Sequence, residues 1–396
     1  MDHGIRRLLL LSVTPLLLVA DPIVVSTTMT ADGSWQDVTN WSGGVVPDNG
    51  SGGVNYDVTL GANRIVDSLT DVTVTNFATS GSAEFRNAAT GLLTVEGTFS
   101  HLIGSLVVNS PLGLWLKGTS TISGDLQLRN GAGLLNDGTL NVAIGGNLLN
   151  DTEDPGERFS PYHFRNNGTT ILSASSDVSL DNFTVYNAGL MDVILASGKS
   201  FNTDTYTQAS TGTTHVGANA TLQVNNLNLT AGIVLGTGTY FGSNMNFGTG
   251  PTGATVSAGD TLDSTGTLTF AGNMATLSGS TLRFDLGGTT QGTTYDHLIL
   301  PGGNFIGTTL EFNLINGFVP TSLDSFTVIT GNNFAGLFEN MDAGTVTMPG
   351  VGTFDVLVTS TAVTLGSFTA IPEPSSYLLL ATGLVVLVRA ARRHAA

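Results

Sequence analysis

A recurring glycine-threonine step constrains this chain more than any other feature. It appears at Gly118-Thr119-Ser120, Gly138-Thr139-Leu140, Gly168-Thr169-Thr170, Gly212-Thr213-Thr214, Gly236-Thr237 and Gly266-Thr267-Leu268, mostly about 20 to 30 residues apart. Gly124-Asp125-Leu126-Gln127-Leu128 and Gly146-Asn147-Leu148-Leu149 form a second, weaker echo. Between the steps apolar residues alternate, as in Leu140, Val142 and Ile144, or Leu222 and Val224 followed by Leu227 and Leu229. Alternation places one row inside and the Thr, Ser and Asn row outside, while glycine permits the turns between faces. A single rung cannot bury its own apolar face, so such units gain stability only by stacking. The predicted fold is all-β: a right-handed parallel β-helix (β-solenoid) over residues 61–286. Periodicity alone does not set the hand, which is taken from how common that form is among exported chains.

Composition supports many short strands. Of 396 residues, 51 are glycine and only 11% are charged, and β-branched residues are abundant. The absence of cysteine rules out a disulfide framework and thiolate metal sites. The formal net charge is −17, and five of the 13 cations (Arg6, Arg7, Arg389, Arg392, Arg393) sit near the two ends, leaving the body more acidic still. Nucleic acid is therefore excluded as an expected partner, because phosphate binding needs a basic footprint.

Both ends read as addresses. Residues 1–26 have the order of a signal peptide, with Arg6 and Arg7 ahead of the apolar Leu8 to Ala20 and possible cleavage points at Ala20 or Ser26. An uncleaved anchor is the alternative. At the other end, Ile371-Pro372-Glu373-Pro374-Ser375-Ser376-Tyr377 leads into an apolar run from Leu378 to Val388 and closes on Arg389, Arg392 and Arg393. The prolines bar a continuous helix, whereas Ser375 and Ser376 suit an N-cap. The run predicts a terminal hydrophobic α-helix, short for a bilayer and stopped by the arginines at the cytoplasmic face of the inner membrane. A buried helix of the body is the competing reading.

This tail, 371–396, resembles the PEP-CTERM sorting signal of Gram-negative surface proteins, with Ile371 where valine is usual and the basic cluster broken by Ala390 and Ala391. The resemblance implies an exosortase as partner, which recognises Pro372, Glu373 and Pro374 and processes the chain. It also implies membrane anchoring by the helix before processing, then release to the cell surface or extracellular matrix, in association with exopolysaccharide.

Gly33-Ser34-Trp35, Asn40-Trp41-Ser42-Gly43-Gly44 and Tyr56-Asp57-Val58-Thr59-Leu60 resemble the opening of autotransporter-passenger-like β-helical proteins. Residues 27–60 are accordingly expected to form an N-terminal cap. Trp35 and Trp41 either cover the open end of the solenoid or form a platform for stacking sugars; the cap is preferred. Residues 287–369 resemble the closing module of such proteins, a β-rich cap with Phe312, Phe326, Val328 and Phe354 in its core.

Catalytic signals are sparse. Tyr295-Asp296-His297 is the one close acid-histidine pair of the body in sequence, read chiefly as a turn in which Asp296 bonds local amides. His101, His163 and His215 lack zinc spacing. The stretch Asn150 to Arg165 gathers Asp151, Glu153, Asp154 and Glu157, oxygen donors without a calcium-loop pattern. A β-helical polysaccharide lyase or hydrolase would need paired acids, or a base drawn from Lys117, Lys199, Arg129, Arg158 or Arg165. No catalytic residue, cofactor or metal site is assigned. The expected function is structural, with a carbohydrate-binding adhesin as the alternative.

Overall fold

Alternating burial organises the chain. In the computed structural model, which describes residues 23–50, 54–86, 91–109, 111–143, 147–151, 163–248 and 253–371, strand after strand buries every second side chain. Leu140 and Val142 are fully buried, as are Leu222, Leu227 and Leu229, while their neighbours face out. The strands stack as thirteen-, fifteen- and six-stranded sheets with a further two-stranded one, and the fold is all-β and mostly parallel, consistent with a β-solenoid.

Register fixes the stack. In the thirteen-stranded sheet one inward column runs Val58, Phe77, Phe99, Ser120, Leu140, Thr170, Met191, Thr214, Val234, Val256, Leu282 and Leu310, each paired in parallel with the next. Ser120 to Leu140 is a step of 20 residues and Thr170 to Met191 one of 21, whereas Leu140 to Thr170 is 30. The longer step holds residues 152–162, which lie outside the described residues together with most of the acid-rich stretch, so an insertion is absorbed without breaking the ladder.

The cross-section changes along the stack. Early rungs have three strands, as in Asp125–Arg129, Gly133–Asn136 and Thr139–Val142. From Val178–Asn187 onward two sides fuse into one long strand, with a register shift between Leu180 and Thr184 and Asn182 at a φ of 62°. Ser200–Gln208 and Thr213–Val216 make a later, two-strand rung.

Glycines and amides hold the corners. A Cβ on Gly138 would lie 2.0 Å from the Gly118 carbonyl oxygen, on Gly168 2.1 Å from that of Gly138, and on Gly189 1.9 Å from that of Gly168. Only glycine lets successive backbones approach this closely. Beside this column runs a buried ladder. The Asn136 side-chain amide donates to Asn166 Oδ1 at 2.8 Å, and Asn166 donates to Asn187 Oδ1 at 2.8 Å. Thr170 donates to Asn166 Oδ1, and Asn187 donates to the Thr213 carbonyl.

Aromatic side chains fill both ends. Trp35 and Trp41 pack edge to face at 4.6 Å, and Trp35 begins a stack through Phe77 to Phe99. At the other end the parallel ladder reaches Phe326–Gly331, and Ala362–Ala370, Gly352–Val358 and Thr345–Met348 continue the sheet antiparallel. Phe312, Phe326, Val328 and Phe354 are buried there as expected from sequence, with Phe354 against Phe312, Phe326 and Phe368.

One part of the expected architecture is corrected. Among the described residues no helix is long and apolar enough to cross a membrane, and the helix present is the 3-10 turn Val38–Asn40. The chain is still extended where description ends: Ala362–Ala370 is a strand, and the Ile371 N–H donates to the Val351 carbonyl at 2.9 Å. Pro372 favours that extended backbone in its predecessor. The described residues therefore give no terminal hydrophobic α-helix, and the transmembrane assignment, the contact with the inner membrane and the anchoring inferred from it are withdrawn. Residues 372–396, where it was expected, lie outside the described residues.

Candidate functional site

Of the residues singled out in sequence, Pro372, Glu373, Pro374, Arg389, Arg392 and Arg393 fall outside the described residues. What the structure places is their point of departure. Phe368 is buried in the C-terminal cap, and Thr369, Ala370 and Ile371 after it are exposed, so the chain enters the motif from the surface.

Trp35 and Trp41 have no open face. Both are buried, and their indole N–H groups are spent inside the cap: Trp35 Nε1 donates to the Pro47 carbonyl at 3.1 Å and Trp41 Nε1 to the Trp35 carbonyl at 2.8 Å. A sugar ring needs an exposed aromatic face, and this pair gives its area to the end of the core.

The acid-histidine pair of the sequence separates in space. Asp296 is buried and accepts N–H bonds from Gly266, just ahead of the strand Thr267–Thr276, at 3.0 Å and from Asp285, in the strand Thr281–Leu286, at 2.9 Å, while the His297 Nε2 position meets Thr330 Oγ1 at 2.9 Å. Asp296 thus staples amides, though distant ones rather than the local ones expected. Burial pushes its carboxyl up to about 8 against the pull of the two amides and Ser257. Nearby, Arg283 reaches Asp263 at 2.8 Å and the buried Asp285 at 3.3 Å.

A different pair forms instead. Register sets His215 opposite Asp192, with Nδ1 at 2.7 Å from Asp192 Oδ1 and Nε2 at 3.1 Å from Asp260 Oδ1. The Asp192 hydrogen bond raises the His215 pKa against desolvation, with Asp260 adding to the rise. Sequence reading missed this pair because its members are 23 residues apart; aligning Met191-Asp192-Val193 with Thr214-His215-Val216 one rung on would have found it. His101 is buried, its Nε2 lying 3.0 Å from the Asp125 carbonyl and its Nδ1 2.6 Å from Thr79 Oγ1, and desolvation lowers its pKa. Among the described residues no group of three or more His, Asp or Glu side chains is arranged to hold a metal ion.

A polar recess on the long strands has a different character. It measures about 480 Å3 and is lined by Asn182, Asn202, Asp204, Gln223 and Asn225. The bend explains it: Asp204 with Thr205, and Asn225 with Asn226, are successive outward residues where the alternation breaks. Asn225 donates to Asp204 Oδ1 at 2.9 Å. The side chains of Asn182, Asn202 and Gln223 have no partner among the described residues. Phe241, paired in register with Gln223, is 38% exposed on the next rung.

Residues 370–393 match the family model of the PEP-CTERM protein-sorting motif. No curated protein and no solved structure matches the chain significantly. The match covers the tail alone. The chain carries a PEP-CTERM sorting motif near its C-terminus on an all-β body, which makes it a PEP-CTERM-bearing, β-rich exported protein.

Proposed function

We propose that this chain is a cell-surface or extracellular-matrix structural protein, sorted through its C-terminal motif by an exosortase and held in association with exopolysaccharide. The observation that carries this reading is the sorting motif at 370–393, set at the exposed exit of a body in which a buried asparagine ladder and the buried Asp296 tie one rung to the next. The asparagine ladder, the Asp296 staple and the glycine column all serve to stack rungs. On this reading the body plays a passive role. A lyase or hydrolase needs two converging acids, or an acid and a base, on an open face; the polar recess offers Asp204 alone among acids and no cation, and the His215 group with Asp192 and Asp260, and the Arg283 group with Asp263 and Asp285, are taken as ion pairs spent on one another.

The test is to replace Pro372, Glu373 and Pro374 by alanine in the native host and fractionate the cells. The reading expects the variant to lose processing and accumulate away from the surface fraction. Unchanged processing and location would remove exosortase sorting from the account.

A further inference from the structure

We propose that the recess lined by Asn182, Asn202, Asp204, Gln223 and Asn225 binds a neutral polysaccharide chain. This rests on the reading of the body as a polysaccharide-associated scaffold and adds where a glycan lies and of which class. The first ground is unspent hydrogen bonding. The buried asparagines Asn136, Asn166 and Asn187 are consumed in a ladder, whereas the side-chain amides of Asn182, Asn202 and Gln223, gathered in this recess, have no partner among the described residues. Each offers two N–H donors and a carbonyl acceptor, a set that matches adjacent sugar hydroxyls. Asp204, held by Asn225 and by the Thr205 hydroxyl, adds a carboxylate acceptor for hydroxyl protons.

The second ground is shape. The polar side chains come from three successive rungs and Phe241 from a fourth. Four strands about 4.8 Å apart span roughly 14 Å, longer than one sugar ring, so the surface suits a chain. Phe241 is an exposed aromatic at the edge of an otherwise hydrophilic row, placed to pack against the C–H face of a ring while the amides take hydroxyls. The third ground is charge. No cation lines the recess, Asp204 is its one ionisable group, and the whole chain carries −17. A uronate-rich or phosphorylated polymer would meet repulsion with nothing to offset it. Neutral chains meet none.

The experiment measures binding of purified full-length protein to a soluble β-glucan, a dextran and a galactomannan, with a polyuronate as the anionic counterpart. At least one neutral polymer is expected to bind, and the polyuronate is not. The double variant Asn202→Ala/Gln223→Ala should weaken that binding about tenfold or more, as loss of two amide contacts implies. Phe241→Ala should weaken it as well. All these side chains are partly or fully exposed, so the melting temperature of each variant should match the parent, and this control separates lost contacts from lost fold. Absence of binding to every neutral polymer, preference for the polyuronate, or equal binding by parent and double variant would overturn the proposal. None of these results bears on the sorting motif, which is tested by fractionation.

Discussion

Gly138 and Gly366 should respond in opposite ways to the same added methyl group. At Gly138 a Cβ meets the Gly118 and Lys117 carbonyl oxygens at 2.0 and 2.5 Å; at Gly366 it meets nothing within 4 Å. Gly138→Ala is expected to cost about 3 kcal/mol or more by overpacking, and Gly366→Ala to stay within about 0.5 kcal/mol. Denaturant unfolding of both variants checks this. Asn166→Ala should cost about 3 kcal/mol, because it removes at once the Oδ1 acceptor shared by the Asn136 amide and the Thr170 hydroxyl and the donor to Asn187 Oδ1, in the middle of a buried ladder. The glycine steps were legible in sequence because only glycine serves there. The ladder was not, since asparagine in a Thr/Ser/Asn-rich chain resembles any outward residue. Its signal was positional: Asn136, Asn166 and Asn187 each precede a corner glycine by two residues. Titration gives another prediction at this scale. The His215 pKa is raised above 6.5, so the stability it contributes is fully present below about pH 6.5 and lost as pH rises through the folded value. His215→Gln should thus destabilise at pH 5.5 by no more than about 1 kcal/mol, Asp260 being exposed, and the difference should shrink as pH rises through the folded value. A pH-independent difference would rule out the Asp192 pair as its source.

At the scale of elements, the first strand bears on processing. Ile23–Met29 pairs along its whole length with Val54–Leu60. Cleavage after Ser26 would remove Ile23, Val24, Val25 and Ser26 from that ladder, whereas cleavage after Ala20 leaves it whole. The mature N-terminus is therefore expected ahead of Ile23, and mass spectrometry of the exported protein reads it directly; a start at Thr27 would contradict this. At the far end, Phe354 touches three other rings and is fully buried, so Phe354→Ala should cost about 3 to 5 kcal/mol, measured by thermal unfolding. Alternation made the short strands and the phenylalanine core of the cap readable. The fusion of two sides into long bent strands was hidden, because a break of one residue at Asp204 or Asn225 looks like noise until neighbouring rungs are aligned. The recess depends on that bend and was hidden with it.

At the scale of the whole molecule, an acidic stack of rungs and a short tail divide the work. The tail was legible because its parts follow one another in sequence, which is also why the family match ends at residues 370–393. The terminal helix expected within it rested on the apolar run, the serine caps and the arginine stop, and no such helix occurs among the described residues, which end on an extended chain after the strand Ala362–Ala370. The central claim is that address and scaffold are separable. Fusing residues 370–396 to an unrelated exported β-protein, expressed in the native host, tests it most directly by measuring where the fusion accumulates and whether its mass falls by the processed tail. The account predicts that the fusion reaches the same fraction as the parent chain and is trimmed. A fusion that stays untrimmed in a different fraction, beside a correctly sorted parent, would contradict it.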